Sequence, residues 1–167
     1  MTDTPGPGVE IRAIAGLPVA VVRIRGRTRL NVLGEAALGP LAAALWALAD
    51  RCVVVDPPGR PAGSEALRAI VLTGSEDAFA GGADLARLAA LDGASARTFI
   101  TAVHEVCDAV RRLPVPVLAR IRGPCLGAGM EIAAACDLRL ADVGALFGMP
   151  EVRVGVPSVV EAALLRA

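Results

Sequence analysis

Two hydrophobic periods divide the chain. "LPVAVVRIRG" (17–26) is rich in β-branched residues and alternates toward its end, which predicts a strand. "EAALGPLAAALWALAD" (35–50) has helical apolar spacing, with Pro40 close enough to the first turn to be tolerated. "PPGRPAGSE" (57–65) reads as a loop, and "ALRAIVLTGS" (66–75) as a short buried strand ending at a turn. "EDAFAGGADLARLAAL" (76–91) predicts a turn leading into a helix. "ASARTFITAVHEVCDAVRRL" (94–113) predicts a long amphipathic helix with Phe99, Val103, Val106 and Val110 on one face, stopped by Pro114. "VPVLARIRG" (115–123) is the next strand, followed by a glycine-rich turn and a helix. "DLRLADVGALFGMPEVRVG" (137–155) predicts a strand, a turn and a short extended segment. Residues 1–8 are rich in Pro and Gly and are expected to be loose. The order of elements is that of an α/β protein with repeated strand-to-helix crossovers. No linker or strict repeat interrupts it, so one domain is expected over 1–167.

Composition narrows the picture. A 167-residue domain buries roughly 70% of its unfolded surface. With 54% apolar residues but only three Phe and one Trp, the core must be mostly Ala, Val and Leu. A net charge of zero gives no support for a nucleic-acid partner or an acidic surface. All 17 basic residues are Arg, which removes Lys Schiff-base chemistry and leaves any phosphate to Arg or backbone amides. Cys52, Cys107, Cys125 and Cys136 lack CxxC spacing, so no zinc site is expected and small buried thiols are. The first residues lack the basic and apolar regions of a signal peptide, and the uncharged runs fall short of a membrane span. A cytoplasmic location with no membrane partner is therefore expected.

Two turns carry candidate chemistry. "AFAGGADLARL" follows the strand "AIVLTG", and "CLGAGMEIAAA" follows "VPVLARIRG". Each puts small residues where a helix begins, and the first amides of a helix lack intrahelical partners. Two such amides aimed at one point would make an oxyanion hole; the alternative is that the glycines only permit close crossover packing. Glu131 lies within an otherwise apolar helix start, and Glu151 follows Pro150 in a segment of little polarity. Two carboxylates converging on one water could divide acid and base roles. Alternatively, Glu131 favours a helix N-terminus through its dipole, and Glu151 pairs with Arg153 or Arg139. His104 is the only histidine, which excludes a two-histidine metal cluster, and no metal site is expected. No Gly-x-Ser-x-Gly elbow occurs. "GPCLGAGMEI" lacks the third glycine of a dinucleotide fingerprint.

Taken together, "RLNVL" (29–33), "IVLTGSEDAFAGGADL" (70–85), "PVPVLARIRGPCLGAGMEIAAACDLRLAD" (114–142) and "FGMPEVRVGVP" (147–157) resemble the crotonase, or enoyl-CoA hydratase/isomerase, family in both content and order. The resemblance covers most of the chain from about residue 17 and implies a crotonase-like spiral of ββα units. It implies an oxyanion hole from the amides of Ala83 and Ala128, and catalytic glutamates at Glu131 and Glu151, which keep the family's spacing of 20 residues. Acyl-CoA would lie along Leu30, Val32, Gly82, Asp84 and Leu85. The implied reaction is hydration of a 2-enoyl-CoA, with Glu131 as base for water and Glu151 as proton donor. Coenzyme A is then part of the substrate, no cofactor is expected, and the chemistry belongs to fatty acid metabolism. A homo-oligomer, a trimer or a dimer of trimers, is also implied.

Three departures from the family's pattern bear on this. Ala128 stands where Gly is usual, so its Cβ should narrow the pocket and exclude easy positive φ. "VPSVVEAALL" replaces the glycine-rich stretch that commonly follows the second glutamate, which changes the wall near the acyl chain. The sequence stops at "EAALLRA", where relatives continue into a substantial helical portion, as in a fragment or a short variant. Enoyl-CoA isomerisation or another thioester reaction is an alternative activity. A catalytically poor, truncated subunit that binds acyl-CoA or assembles with relatives is an alternative of another class.

Overall fold

The structure, a computed structural model, describes residues 7–52, 66–83, 88, 92–155 and 160. Strands β1 (Gly8–Ile14) and β2 (Leu17–Arg23) form an antiparallel hairpin. Helix α1 (Glu35–Ala49), strand β3 (Ala69–Thr73), helix α2 (Gly93–Arg112) and strand β4 (Val117–Ile121) follow. Strand β5 (Pro124–Leu126) leads into helix α3 (Ala128–Ala135). Strands β6 (Leu138–Ala141) and β7 (Leu146–Gly148) precede a 3-10 helix, Pro150–Val154. The main sheet has the order β1-β2-β3-β4-β6, parallel from β2 onward, and β5 and β7 form a second, two-stranded parallel sheet.

Each element follows from local chemistry. In α1, Leu38, Leu41, Leu45 and Leu48 recur at helical spacing and are buried, and Pro40 lies in the interior of the helix. In α2, Asp92 and Ser95 cap the N-terminus reciprocally: the Asp92 carboxylate accepts from the Ser95 N–H at 2.8 Å, and Ser95 Oγ accepts from the Asp92 N–H at 3.0 Å. Val103, Val106 and Val110 are buried as their spacing predicts, Cys107 and Ala109 join them, and Phe99 is half-buried. α2 packs against both α1 and α3. Ala20, Val22, Ile70, Leu72, Val117 and Ala119 from the central strands complete the core, and Phe79 is its largest fully buried side chain.

Three expectations change. Gly8 belongs to β1 rather than to a loose arm; residues 1–6 lie outside the described residues, as does the loop at 57–65. The strand from residue 17 ends at Arg23, where the Ile24 N–H donates to the Thr73 carbonyl and the chain turns toward a tight hairpin bridged at Arg27 and Val32. The segment 137–155 holds two strands, and its end is helical rather than extended, because Pro150 opens a 3-10 turn that left-handed Gly155 (φ 78°) closes.

The edge strand β6 is exposed along its length, and Leu138, Leu140, Val143, Leu146 and Phe147 on and after it are exposed apolar side chains. Among the described residues no helix is long and apolar enough to cross a membrane.

Leu45 is fully buried. Leu45→Ala is expected to lower the free energy of unfolding by about 2–5 kcal/mol in urea titrations.

Candidate active site

Two turns at the C-terminal ends of β3 and β4 are joined by backbone. The Ala80 N–H donates to the Pro124 carbonyl at 3.1 Å, and the Leu126 N–H donates to the Ala80 carbonyl at 2.9 Å. These bonds form a parallel bridge between Ala80 and Cys125 and bring the stretch ending at Ala83 against the start of α3. On its other side the first turn is held by the loop before α1: the Leu33 N–H donates to the Gly82 carbonyl at 2.8 Å, and Leu33 bridges Ala83 in parallel. In a parallel bridge the partner residue's own N–H faces away, so the Ala83 amide is not used by Leu33. Gly82 is buried and Ala83 half-buried; Asp84 and Leu85 lie outside the described residues. Leu30 is exposed and Val32 half-buried, on the hairpin beside this turn.

The second turn explains its own sequence, Gly127-Ala128-Gly129. Gly127 caps α3 with φ 50° and ψ −122°, a conformation open to Gly. A Cβ built on it would come within 3.0 Å of Glu151 Oε2. A Cβ on Gly129 would come within 2.6 Å of the Ala80 Cβ and 2.9 Å of its carbonyl oxygen. Ala128 is the position between these two contacts that admits a methyl. The positive φ that an alanine resists falls on Gly127, so Ala128 sits in the first helical turn, 6% exposed, and its amide is among the first donors of the helix, which have no partner within the helix.

Register brings the two carboxylates to this turn. β5 and β7 pair Pro124 with Leu146, Cys125 with Phe147 and Leu126 with Gly148, and the Gly127 N–H then donates to the Gly148 carbonyl at 2.9 Å. The 3-10 helix starts two residues later and lays the Glu151 carboxylate against Gly127. Glu131, one turn into α3, is 5% exposed, and its Oε1 accepts from the Val160 N–H at 3.2 Å. Glu151 is 8% exposed. Burial raises its protonation range above that of an ordinary carboxylate, its own backbone N–H opposes this, and the charge of Glu131 adds to the rise. The two glutamates are thus electrostatic neighbours. Neither arginine alternative holds: among the described residues no ion pair joins Glu151 to Arg139 or Arg153, and Arg139 instead donates to the carbonyls of Ala133, Ala134 and Cys136.

Other side chains offer less. Burial pushes the Cys125 and Cys136 thiols up to about 12, so neither supplies a thiolate near neutral pH. His104 is exposed on α2. Asn31, which sequence reasoning passed over between Leu30 and Val32, is buried and bonds the first turn. The available signal was a single amide side chain within an apolar run.

Comparison with known proteins identifies the family. The sequence matches the enoyl-CoA hydratase/isomerase family over residues 60–166. It is 33% identical over 139 residues to the crotonyl-CoA hydratase of Syntrophomonas wolfei, covering 83% of this chain and 48% of that protein. It is 37% identical over 90 residues to the enoyl-CoA isomerase/hydratase fer4 of Mycosarcoma maydis, covering 53% of this chain and 33% of that protein. A crystal structure of an enoyl-CoA hydratase/carnithine racemase from Magnetospirillum magneticum superposes with a TM-score of 0.73 at 29% identity, over 89% of this chain and 52% of the other. The chain belongs to the enoyl-CoA hydratase/isomerase family and has the crotonase fold. It spans about half or less of the length of the two curated relatives.

Glu151 gives a prediction with a definite sign. A carboxylate whose folded protonation range is raised stabilises the fold fully below the unfolded range, and that contribution is lost as pH rises through the folded one. Glu151→Gln cannot ionise. Its melting temperature relative to the parent should therefore rise as pH increases above the ordinary carboxylate range, as scanning calorimetry would show.

Proposed function

We propose that the protein is a 2-enoyl-CoA hydratase. The observation that carries this reading is the burial of Glu131 and Glu151 as coupled neighbours at the turn that also presents the Ala128 amide. The thioester carbonyl of the substrate would accept from the Ala83 and Ala128 N–H groups. As the bond to the β-carbon forms, negative charge moves onto that oxygen, where fixed donors stabilise it; removing one such donor typically costs about 2.7–4 kcal/mol.

The raised protonation range of Glu151 favours a division of labour. Glu131 takes a proton from water as its oxygen bonds to the β-carbon. Glu151, holding a proton, delivers it to the α-carbon. One OH and one H are added, and transfer of a proton from Glu131 to Glu151 restores the starting state. Hydration should fall as pH rises through the range where Glu151 ionises. Coenzyme A acts here as part of the substrate, and no prosthetic group is required.

The test is loss of the enone absorbance of crotonyl-CoA, with the product identified by NMR. Glu131→Gln and Glu151→Gln are each expected to lower kcat by about 100- to 10,000-fold. A product with a shifted double bond and no added oxygen would favour isomerisation. Binding of crotonyl-CoA with no turnover would favour a binding subunit. Undiminished hydration in both variants would remove the two-glutamate mechanism.

The exposed apolar side chains on β6 and β7 support a second element of the proposal, self-association. Light scattering is expected to give a mass above that of one chain, and replacing Leu140 with Glu should lower it.

A further inference from the structure

Asn31 is 3% exposed and adopts left-handed φ (57°), a region that Asn enters more readily than most residues. Every polar group of its side chain is used. Oδ1 accepts from the Gly26 N–H at 2.5 Å, and Nδ2 donates to the Phe79 carbonyl at 2.6 Å and to the Ile24 carbonyl at 3.4 Å. Its backbone carbonyl accepts from the Gly81 N–H at 3.4 Å. Two residues on, Leu33 binds Gly82 and bridges Ala83. The stretch Phe79–Ala83 is thus held on one side by Pro124 and Leu126, and on the other by Asn31 and Leu33.

We infer that Asn31 is a positioning residue for the Ala83 amide. This rests on the reading of Ala83 as an oxyanion donor. No other residue type fits the site as well. Asp lacks the donor that the Phe79 carbonyl receives. Leu would take these partners away from the Phe79 carbonyl and the Gly26 N–H, and Gln is one methylene too long for the same bonds. Asn31 does not reach the substrate; it fixes the backbone whose N–H does. A donor displaced by a fraction of an ångström acts mainly on the charge that develops in the transition state. Loss of Asn31 should therefore lower kcat by about 10- to 100-fold, with a much smaller change in KM.

The experiment uses Asn31→Asp and Asn31→Ala, with Leu45→Ala as a comparably weakened core variant away from the turn. Besides kcat and KM, the stretching frequency of a 13C-labelled crotonyl-CoA carbonyl is read by difference infrared spectroscopy. This is done in a Glu131→Gln, Glu151→Gln background, where substrate is bound without turnover. With Asn31 present the bound carbonyl should move to lower frequency than the free one; in the Asn31 variants most of that shift should disappear, while Leu45→Ala keeps it. A full shift and unchanged kcat in folded Asn31 variants would overturn the inference while leaving the hydratase reading intact. No shift with Asn31 present would overturn both. If neither Asn31 variant folds, the side-chain amide resonances of Asn31 in the glutamine background serve instead. Their displacement by crotonyl-CoA supports the inference, and their indifference to it overturns the inference.

Discussion

The site depends on one short piece of backbone pairing, the bridge between Ala80 and Cys125. Two hydrogen bonds there tie the turn after β3 to the turn after β4. These turns are about 45 residues apart in sequence and belong to separate strand-to-helix crossovers, so nothing local holds them together. The bridge demands close backbone approach, which accounts for Gly129 packed on Ala80. It also brings the small residues of the two turns into close approach, Gly82 against Leu126 and Gly129 against Ala80. Side chains of ordinary size at these positions would push the two turns apart.

Register in a second, very small sheet does comparable work for the carboxylates. β5 and β7 contribute three residues each, and their in-register pairing sets Gly148 beside Gly127. The separation of 20 residues between Glu131 and Glu151 has its physical meaning there. It is the length of chain needed to complete α3, cross through β6 and return along β7 to the same turn. The Glu151 carboxylate then packs against a glycine, in a space that any side chain at residue 127 would occupy. Burial and the neighbouring charge together keep Glu151 protonated to higher pH than a surface carboxylate. A group that must donate a proton near neutrality benefits from that environment.

Much of this was legible in the sequence because the signals were strong and local. The leucine spacing of α1, the valine face of α2 and the apolar cores of β3 and β4 predicted their elements to within a few residues. The motifs around Ala83, Ala128, Glu131 and Glu151 identified the candidate site through their resemblance to a family. What escaped depends on pairing. β1 follows a Pro/Gly-rich start and gains its identity from hydrogen bonding to β2. Strands as short as β5 and β7 have no periodicity to read. The concern that Ala128 displaces a glycine resolves only with backbone angles, since the left-handed residue is Gly127. Asn31 is polar in an apolar run, and only the structure supplies the Phe79 and Gly26 groups that it serves.

Glu131 and Glu151 lie close enough for the charge of one to raise the protonation range of the other. The most direct measurement is a 13C NMR titration of the Glu151 side-chain carboxyl in the parent protein and in Glu131→Gln. The midpoint is expected above the ordinary carboxylate range in the parent, moving downward when the charge at residue 131 is removed. A Glu151 midpoint that is unchanged by Glu131→Gln would contradict this coupling.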